Sequence, residues 1–169
     1  MKGIVFAEFM HLTEERFGLE TCDLAFGGSY ASVGAYPHRE MLSMVVRLSE
    51  LSLLPVDLLL NALGHYLFQT FYRNYPIFFK GIKHPFDLLE QIDNPIHVEV
   101  KKLYPDAKLS RLETTKEGYG LVMIYRSLRK MANLAISLIE AAAVHYDADI
   151  KIETAMLKED GSEVNFKIT

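Results

Sequence analysis

Apolar residues recur with a helical period through the first two thirds of the chain. A period of 3.6 residues places every third or fourth side chain on one helix face. The pattern predicts helices over about 3–18, 19–26 and 38–52, a long helix from Pro55, and short helices over about 76–80 and 85–91. Asp93-Asn94-Pro95 predicts the start of a further helix, because proline suits the first helical turn, and this helix should end near Tyr104-Pro105.

The period changes from helical to alternating after Pro105. Alternating residues predict strands over about 108–115 and 120–127, joined by a turn at 116–118. A helical pattern over 130–146 follows, and then a hairpin with strands at 150–153 and 164–168 around Glu159-Asp160-Gly161. We therefore predict a single α+β domain over residues 1–169, in which helices precede a four-stranded antiparallel sheet crossed by one helix.

Composition and charge narrow the function classes. Half of the residues are hydrophobic, so either the core is large or part of it lines an internal cavity. The net charge of -4 argues against nucleic acid as the main partner, because phosphate binding needs a basic surface. The chain has no apolar run of about 18 residues and no signal-peptide pattern, so we expect a cytoplasmic protein with no membrane segment.

Tyr125, Ser127 and Arg129 form the first candidate binding site. In an extended segment these alternate residues share one face, where they would present two hydroxyls and a guanidinium. An arginine fork matches a carboxylate or phosphate with two parallel hydrogen bonds. The spacing alone also fits solvated side chains near a strand end, so it indicates an anion site without establishing one.

His97 is the second candidate, because it lies within a predicted helix that would hold it rigidly. A neutral imidazole is a good ligand for iron. A lone histidine is more often structural than metal-binding, and the chain has five others. Cys22 is the only cysteine, which excludes a disulfide within the chain and any site built from several cysteines.

Taken together, the motifs around these residues resemble the heme nitric oxide/oxygen binding (H-NOX) family, which is similar to the heme domain of soluble guanylate cyclase. The resemblance spans almost the whole chain: it includes Met1-Lys2-Gly3, Tyr75-Pro76-x-Phe78-Phe79-x-Gly81, His97 before Lys102-Leu103-Tyr104-Pro105, and Tyr125-Arg126-Ser127-Leu128-Arg129-Lys130-Met131. It implies a heme b between a helical distal subdomain (about 1–60) and a proximal subdomain with the sheet (about 61–169). His97 would be the proximal iron ligand, and Tyr125, Ser127 and Arg129 would bind the heme propionates.

The resemblance also implies which residues face the bound gas. Relatives that hold oxygen stably do so with a tyrosine at the position of Leu134 in this chain. The distal pocket would instead be apolar, with members Val5, Phe9, Leu67, Phe71 and Leu134. Bound oxygen is polarised and gains from a hydrogen-bond donor, whereas NO depends less on one. We therefore predict binding of NO and CO with exclusion of oxygen, unless Tyr66 or Tyr72 turns into the pocket.

A non-enzymatic sensor is the function that these features favour. NO binding would release His97 from the iron, and its helix would shift relative to the sheet subdomain. The signal would pass to a partner, which in bacterial relatives is commonly a histidine kinase or a cyclic-di-GMP enzyme. A heme enzyme, such as a peroxidase or an NO dioxygenase, is the alternative if His65 reaches the distal side, and a tetrapyrrole or lipid carrier is the third. Many relatives have a heme-distorting proline where this chain has Ser110, so strong distortion is not expected.

Overall fold

The computed structural model describes residues 1–105 and 107–169. The helices are α1 (Gly3–Phe17), α2 (Leu19–Phe26), α3 (His38–Ser52), α4 (Val56–Asn74), α5 (Pro85–Gln91), α6 (His97–Leu103) and α7 (Ala132–His145). A short 3-10 helix covers Pro76–Phe79, and a π-helical segment with a kink, Ile92–Ile96, joins α5 to α6. The strands are β1 (Arg111–Glu117), β2 (Gly120–Arg126), β3 (Ile152–Met156) and β4 (Glu163–Ile168). These elements confirm the predicted α+β fold.

Several predicted boundaries are wrong. Helix α6 begins at His97 rather than near Asp93, and β3 covers Ile152–Met156 rather than 150–153. Two further elements have wrong boundaries at turns. The first strand begins at Arg111 rather than at 108, and it continues to Glu117, which pairs with Gly120. The turn therefore centres on Gly118, whose φ of 58° is in the left-handed region that glycine tolerates. The last helix begins at Ala132 rather than at 130, because Lys130 also has a positive φ of 56° and cannot continue a helix.

The four strands form one antiparallel sheet in the order β1-β2-β4-β3. One face is buried against α5 and α7, and its residues alternate along the two central strands as the pleat requires. They are Leu121, Met123 and Tyr125 of β2, and Val164, Phe166 and Ile168 of β4. This apolar face forms the core of the C-terminal half of the molecule together with α5 and α7.

A second buried cluster holds the N-terminal helices together, and it includes Phe6 and Phe9 of α1, Met41 and Leu48 of α3, and Leu63 of α4. Helix α4 also packs closely on α7. A side chain at Gly64 would place its Cβ 2.3 Å from Cβ of Ser137, so glycine permits this approach. Among residues 1–105 and 107–169, no helix is both long enough and apolar enough to cross a membrane.

Candidate functional site

A cavity of about 360 Å³ lies between the N-terminal helices and the sheet, and we call it the central cavity. Its wall is predominantly apolar and comes from elements distant in sequence, including Ile4, Val5, Phe68, Phe71, Phe78, Leu88, Ile96, Val100, Leu109, Met123, Leu134 and Leu138. The few polar wall residues include His97, Ser110, Tyr125 and Arg129. A largely apolar cavity with a few placed polar groups suits a ligand that is mostly apolar.

His97 lies in the cavity wall as the first residue of α6, and its side chain is 19% exposed. Burial lowers the pKa of the imidazole, and the hydrogen bond and charge of Asp93 partly oppose this effect. The lowered pKa favours the neutral ring, and its Nδ1 lies 3.0 Å from Oδ1 of Asp93. Placing the proton on Nδ1 leaves the lone pair of Nε2 available to bind a metal ion.

Arg129 and Tyr125 provide a polar end to the same cavity. The Arg129 guanidinium donates a hydrogen bond to the carbonyl of Lys108, and burial lowers the pKa of this arginine. Among the described residues, no carboxylate lies within ion-pair distance of Arg129. A partly buried cation with no acidic partner is costly, and the carboxylate of a ligand would relieve that cost.

The predicted extended segment from Tyr125 to Arg129 is wrong beyond Arg126. Strand β2 ends there, and residues 127–130 form a turn. The Ser127 hydroxyl accepts a hydrogen bond from the backbone amide of Arg129 at 3.3 Å, and Ser127 is not part of the cavity wall. The Tyr125 hydroxyl accepts one from the amide of Met131 at 3.2 Å. Tyr125 and Arg129 therefore converge on the cavity through a turn and not through strand alternation.

The five predicted distal residues divide into two groups. Val5, Phe71 and Leu134 line the central cavity. Phe9 and Leu67 are not in its wall; both are almost fully buried in the cluster of N-terminal helices behind it. Phe9 lies one turn beyond Val5 on α1, where its ring packs edge-on against Phe26 with 5.1 Å between centroids.

Three polar residues, Tyr66, Tyr72 and His65, could have added a hydrogen-bond donor to this apolar wall, but none of them lies in it. The Tyr66 hydroxyl bonds the carboxylate of Glu15 at 3.0 Å, on the surface. Tyr72 is 39% exposed, and its ring lies 4.3 Å from that of His145. Neither tyrosine lines the cavity, and His65 does not line it either. The wall around Val5, Phe71 and Leu134 thus receives no hydrogen-bond donor from the two tyrosines or from His65.

Sequence reasoning gave no individual role to four polar residues in or next to the cavity wall. Asp93 is four residues before His97, a spacing that brings side chains together on a helix and could have indicated it. Tyr75 and Tyr104 both line the cavity, and burial, followed by a hydrogen bond to Tyr104, raises the pKa of Tyr75. The Lys2 ammonium lies 4.6 Å from the centre of the Tyr104 ring. No local spacing links Lys2, Tyr75 and Tyr104, because their contacts form only in the folded chain.

Comparisons with known proteins agree with this geometry. The family model described as Haem-NO-binding matches residues 2–154. The comparison with curated proteins finds no match for the chain. Among solved structures, the Fe(II) unliganded H-NOX protein from K. algicida is 36% identical, covers 99% of this chain and 95% of its own, and has a TM-score of 0.90.

Two further structures extend the likeness. The H-NOX protein from Shewanella woodyi in the Fe(II)CO ligation state is 38% identical, covers 100% of this chain and 94% of its own, and has a TM-score of 0.87. The H-NOX protein from S. oneidensis in the Fe(II)NO ligation state is 22% identical, covers 100% of this chain and 98% of its own, and has a TM-score of 0.91. At that identity the last likeness shows the fold alone.

Proposed function

The chain belongs to the Haem-NO-binding (H-NOX) family of heme-binding gas sensors, and from this premise we propose that it senses nitric oxide. In this proposal it binds NO and CO at ferrous heme b, excludes oxygen, and signals to a separate partner protein without being an enzyme. The observation that carries the proposal is the central cavity, which combines an apolar wall with Nε2 of His97 and the guanidinium of Arg129. Among the described residues, neither of these groups meets a carboxylate.

The residues fit a flat apolar ring with acidic arms. His97 would hold the iron through Nε2, because its Nδ1 is occupied by Asp93. Arg129 and Tyr125 would bind the propionates, together with Ser127 through the turn that it stabilises. Bound heme supplies a ferrous iron that takes a diatomic gas as its ligand.

The wall formed by Val5, Phe71 and Leu134 supports the exclusion of oxygen. Bound oxygen carries partial negative charge, and a polar ligand buried without a hydrogen-bond donor loses its solvation without compensation. NO and CO are less polarised and depend less on such a donor. Phe9 and Leu67 would contribute from behind this wall by fixing its shape.

His97 and α6 would form the element that responds to NO. We infer that His97 would hold the iron until NO binds, and that its release would leave α6 free to move relative to the sheet. The kink at Asn94 interrupts helical geometry just before His97 and separates α6 from α5, which supports such movement. The distal subdomain (about 1–60) and the proximal subdomain (about 61–169) would then change their relative orientation. A cytoplasmic histidine kinase or cyclic-di-GMP enzyme would be the partner.

The alternative of a heme enzyme is less well supported. A peroxidase or NO dioxygenase needs a distal acid or base to handle a peroxide. His65 is the residue that the sequence offers for that role, and it does not line the cavity. A tetrapyrrole or lipid carrier would not require the free Nε2 of His97. Loss of the Soret band in His97→Ala, with recovery in added imidazole, would separate ligation from simple carriage.

The first experiment is the ultraviolet-visible spectrum of the dithionite-reduced protein in nitrogen, in air and with NO. We expect a five-coordinate ferrous spectrum that air leaves unchanged and NO shifts. A stable oxygen-bound spectrum would refute the exclusion of oxygen. Absence of a Soret band after reconstitution with heme would refute the whole proposal.

A further inference from the structure

The carboxylate of Asp93 connects the kinked segment before α6 with two other parts of the proximal half. Its Oδ1 lies 3.0 Å from Nδ1 of His97, at the start of α6. The same oxygen accepts a hydrogen bond from the backbone amide of Leu112, in β1, at 3.1 Å. Asp93 therefore bridges the His97 ring and the sheet through one atom.

The second contact has a clear origin in the sheet. Strand β1 is an edge strand, with β2 on one side only. In an antiparallel ladder, alternate amides of an edge strand point away from the partner strand and need another acceptor. The Leu112 amide finds this acceptor in Asp93, so the carboxylate satisfies a backbone group that would otherwise depend on solvent.

We propose that Asp93 is a positioning residue that fixes the orientation of His97 for iron binding and couples this histidine to β1. The inference rests on the proposed function, because it takes His97 as the iron ligand. Asp93 does not itself reach the cavity wall, so it acts through His97 and not on the ligand.

The hydrogen bond defines which histidine nitrogen is free. A carboxylate cannot donate, so the proton of the neutral imidazole lies on Nδ1 and the Nε2 lone pair is left for the iron. An ionised acceptor also makes a stronger hydrogen bond than a neutral one. The ring is thereby held against rotation, and it becomes a more electron-rich ligand.

The shared oxygen also provides a mechanical connection. In this proposal, movement of the His97 ring would disturb Oδ1 of Asp93, and the Leu112 amide is bonded to that same atom. A shift of α6 would therefore alter the hydrogen bond of the Leu112 amide in β1 as well as the position of the helix itself. Another link between this region and β1, an ion pair of Glu90 with Lys116 at 3.0 Å, does not involve His97.

A cavity variant tests the positioning role directly. In His97→Gly, free imidazole would occupy the place of the side chain and donate its N–H to Asp93, whereas 1-methylimidazole has no N–H to donate. We expect heme to be retained with imidazole at about tenfold lower concentration than with 1-methylimidazole, the lower end of the usual outer-shell effect. Adding Asp93→Ala should abolish this preference, while adding Glu90→Ala should preserve it.

The outcomes separate the two proposals. An equal preference with and without Asp93 would overturn the positioning role while leaving heme binding intact. No Soret band with either base would overturn the proposed function and this inference with it. Since the double variants could lose stability, the single variants of the heme-loaded protein provide a second test.

In these single variants, the coupling to β1 is read from hydrogen exchange of the Leu112 amide, and the ligand effect from the iron–histidine stretching frequency in resonance Raman spectra. Asp93→Ala should speed the exchange about tenfold and lower the frequency. Asp93→Asn keeps an acceptor oxygen and should recover part of both changes, and Glu90→Ala should alter neither. Unchanged exchange and frequency in Asp93→Ala would refute the proposal.

Discussion

Arg129 provides the sharpest test of the acidic end of the ligand. The guanidinium of Arg129 donates to the carbonyl of Lys108, and the change Arg129→Gln removes the charge while keeping a side-chain N–H donor. A hydrogen bond to a charged group contributes about 1.5–3 kcal/mol, and 1.4 kcal/mol corresponds to a factor of ten. Because the guanidinium is only partly buried, we expect the lower part of this range, and thus heme release roughly 10- to 30-fold faster.

Arg126 offers a matched control three residues away. It pairs with Glu113 and Glu163 at 2.5 and 2.7 Å and is not part of the cavity wall. Arg126→Gln should leave heme release unchanged and lower stability only slightly, as is usual for exposed ion pairs. The assay is transfer of heme to excess apomyoglobin, followed by the Soret band.

Heme with esterified propionates provides the second change in a double-mutant-style cycle with Arg129→Gln. Heme with methyl-esterified propionates carries no acidic arms, so wild type should release it about as fast as Arg129→Gln does. The substitution and the esterification should not be additive, because both remove the same interaction. Equal acceleration by Arg126→Gln, or fully additive effects, would refute the assignment of Arg129 to the carboxylates.

Three further predictions follow from single positions. Leu134→Tyr should give an oxygen-bound spectrum in air by adding a donor to the apolar wall, whereas Val144→Tyr, on the exposed face of the same helix, should not. Gly64→Ala should lower the free energy of unfolding in urea by about 1–3 kcal/mol through overpacking, and Ser137→Gly should recover part of it; an unchanged midpoint would contradict the close helix contact. Cys22 should resist a disulfide reagent until the protein unfolds, because burial raises the pKa of its thiol and keeps the thiolate scarce at neutral pH; rapid labelling at pH 7 would disprove this.

The sequence by itself determined most of the fold and the type of chemistry. Helical periodicity located α1 through α5, because burial of one helix face requires that spacing. Alternation located the central strands, whose inward residues Met123 and Phe166 are fully buried. Side-chain chemistry made His97 and Arg129 candidates, the family resemblance gave them expected roles, and both lie in the wall of one cavity.

Only the tertiary structure decided where individual side chains point. Spacing could not separate Val5, on the cavity wall, from Phe9, one turn away in the core. It could not show that Tyr66 faces Glu15 on the surface. It also missed Asp93, whose oxygen meets Leu112 across 19 positions of the chain. Periodicity fixes which face of an element is buried, but the group that each buried side chain meets depends on how distant elements pack together.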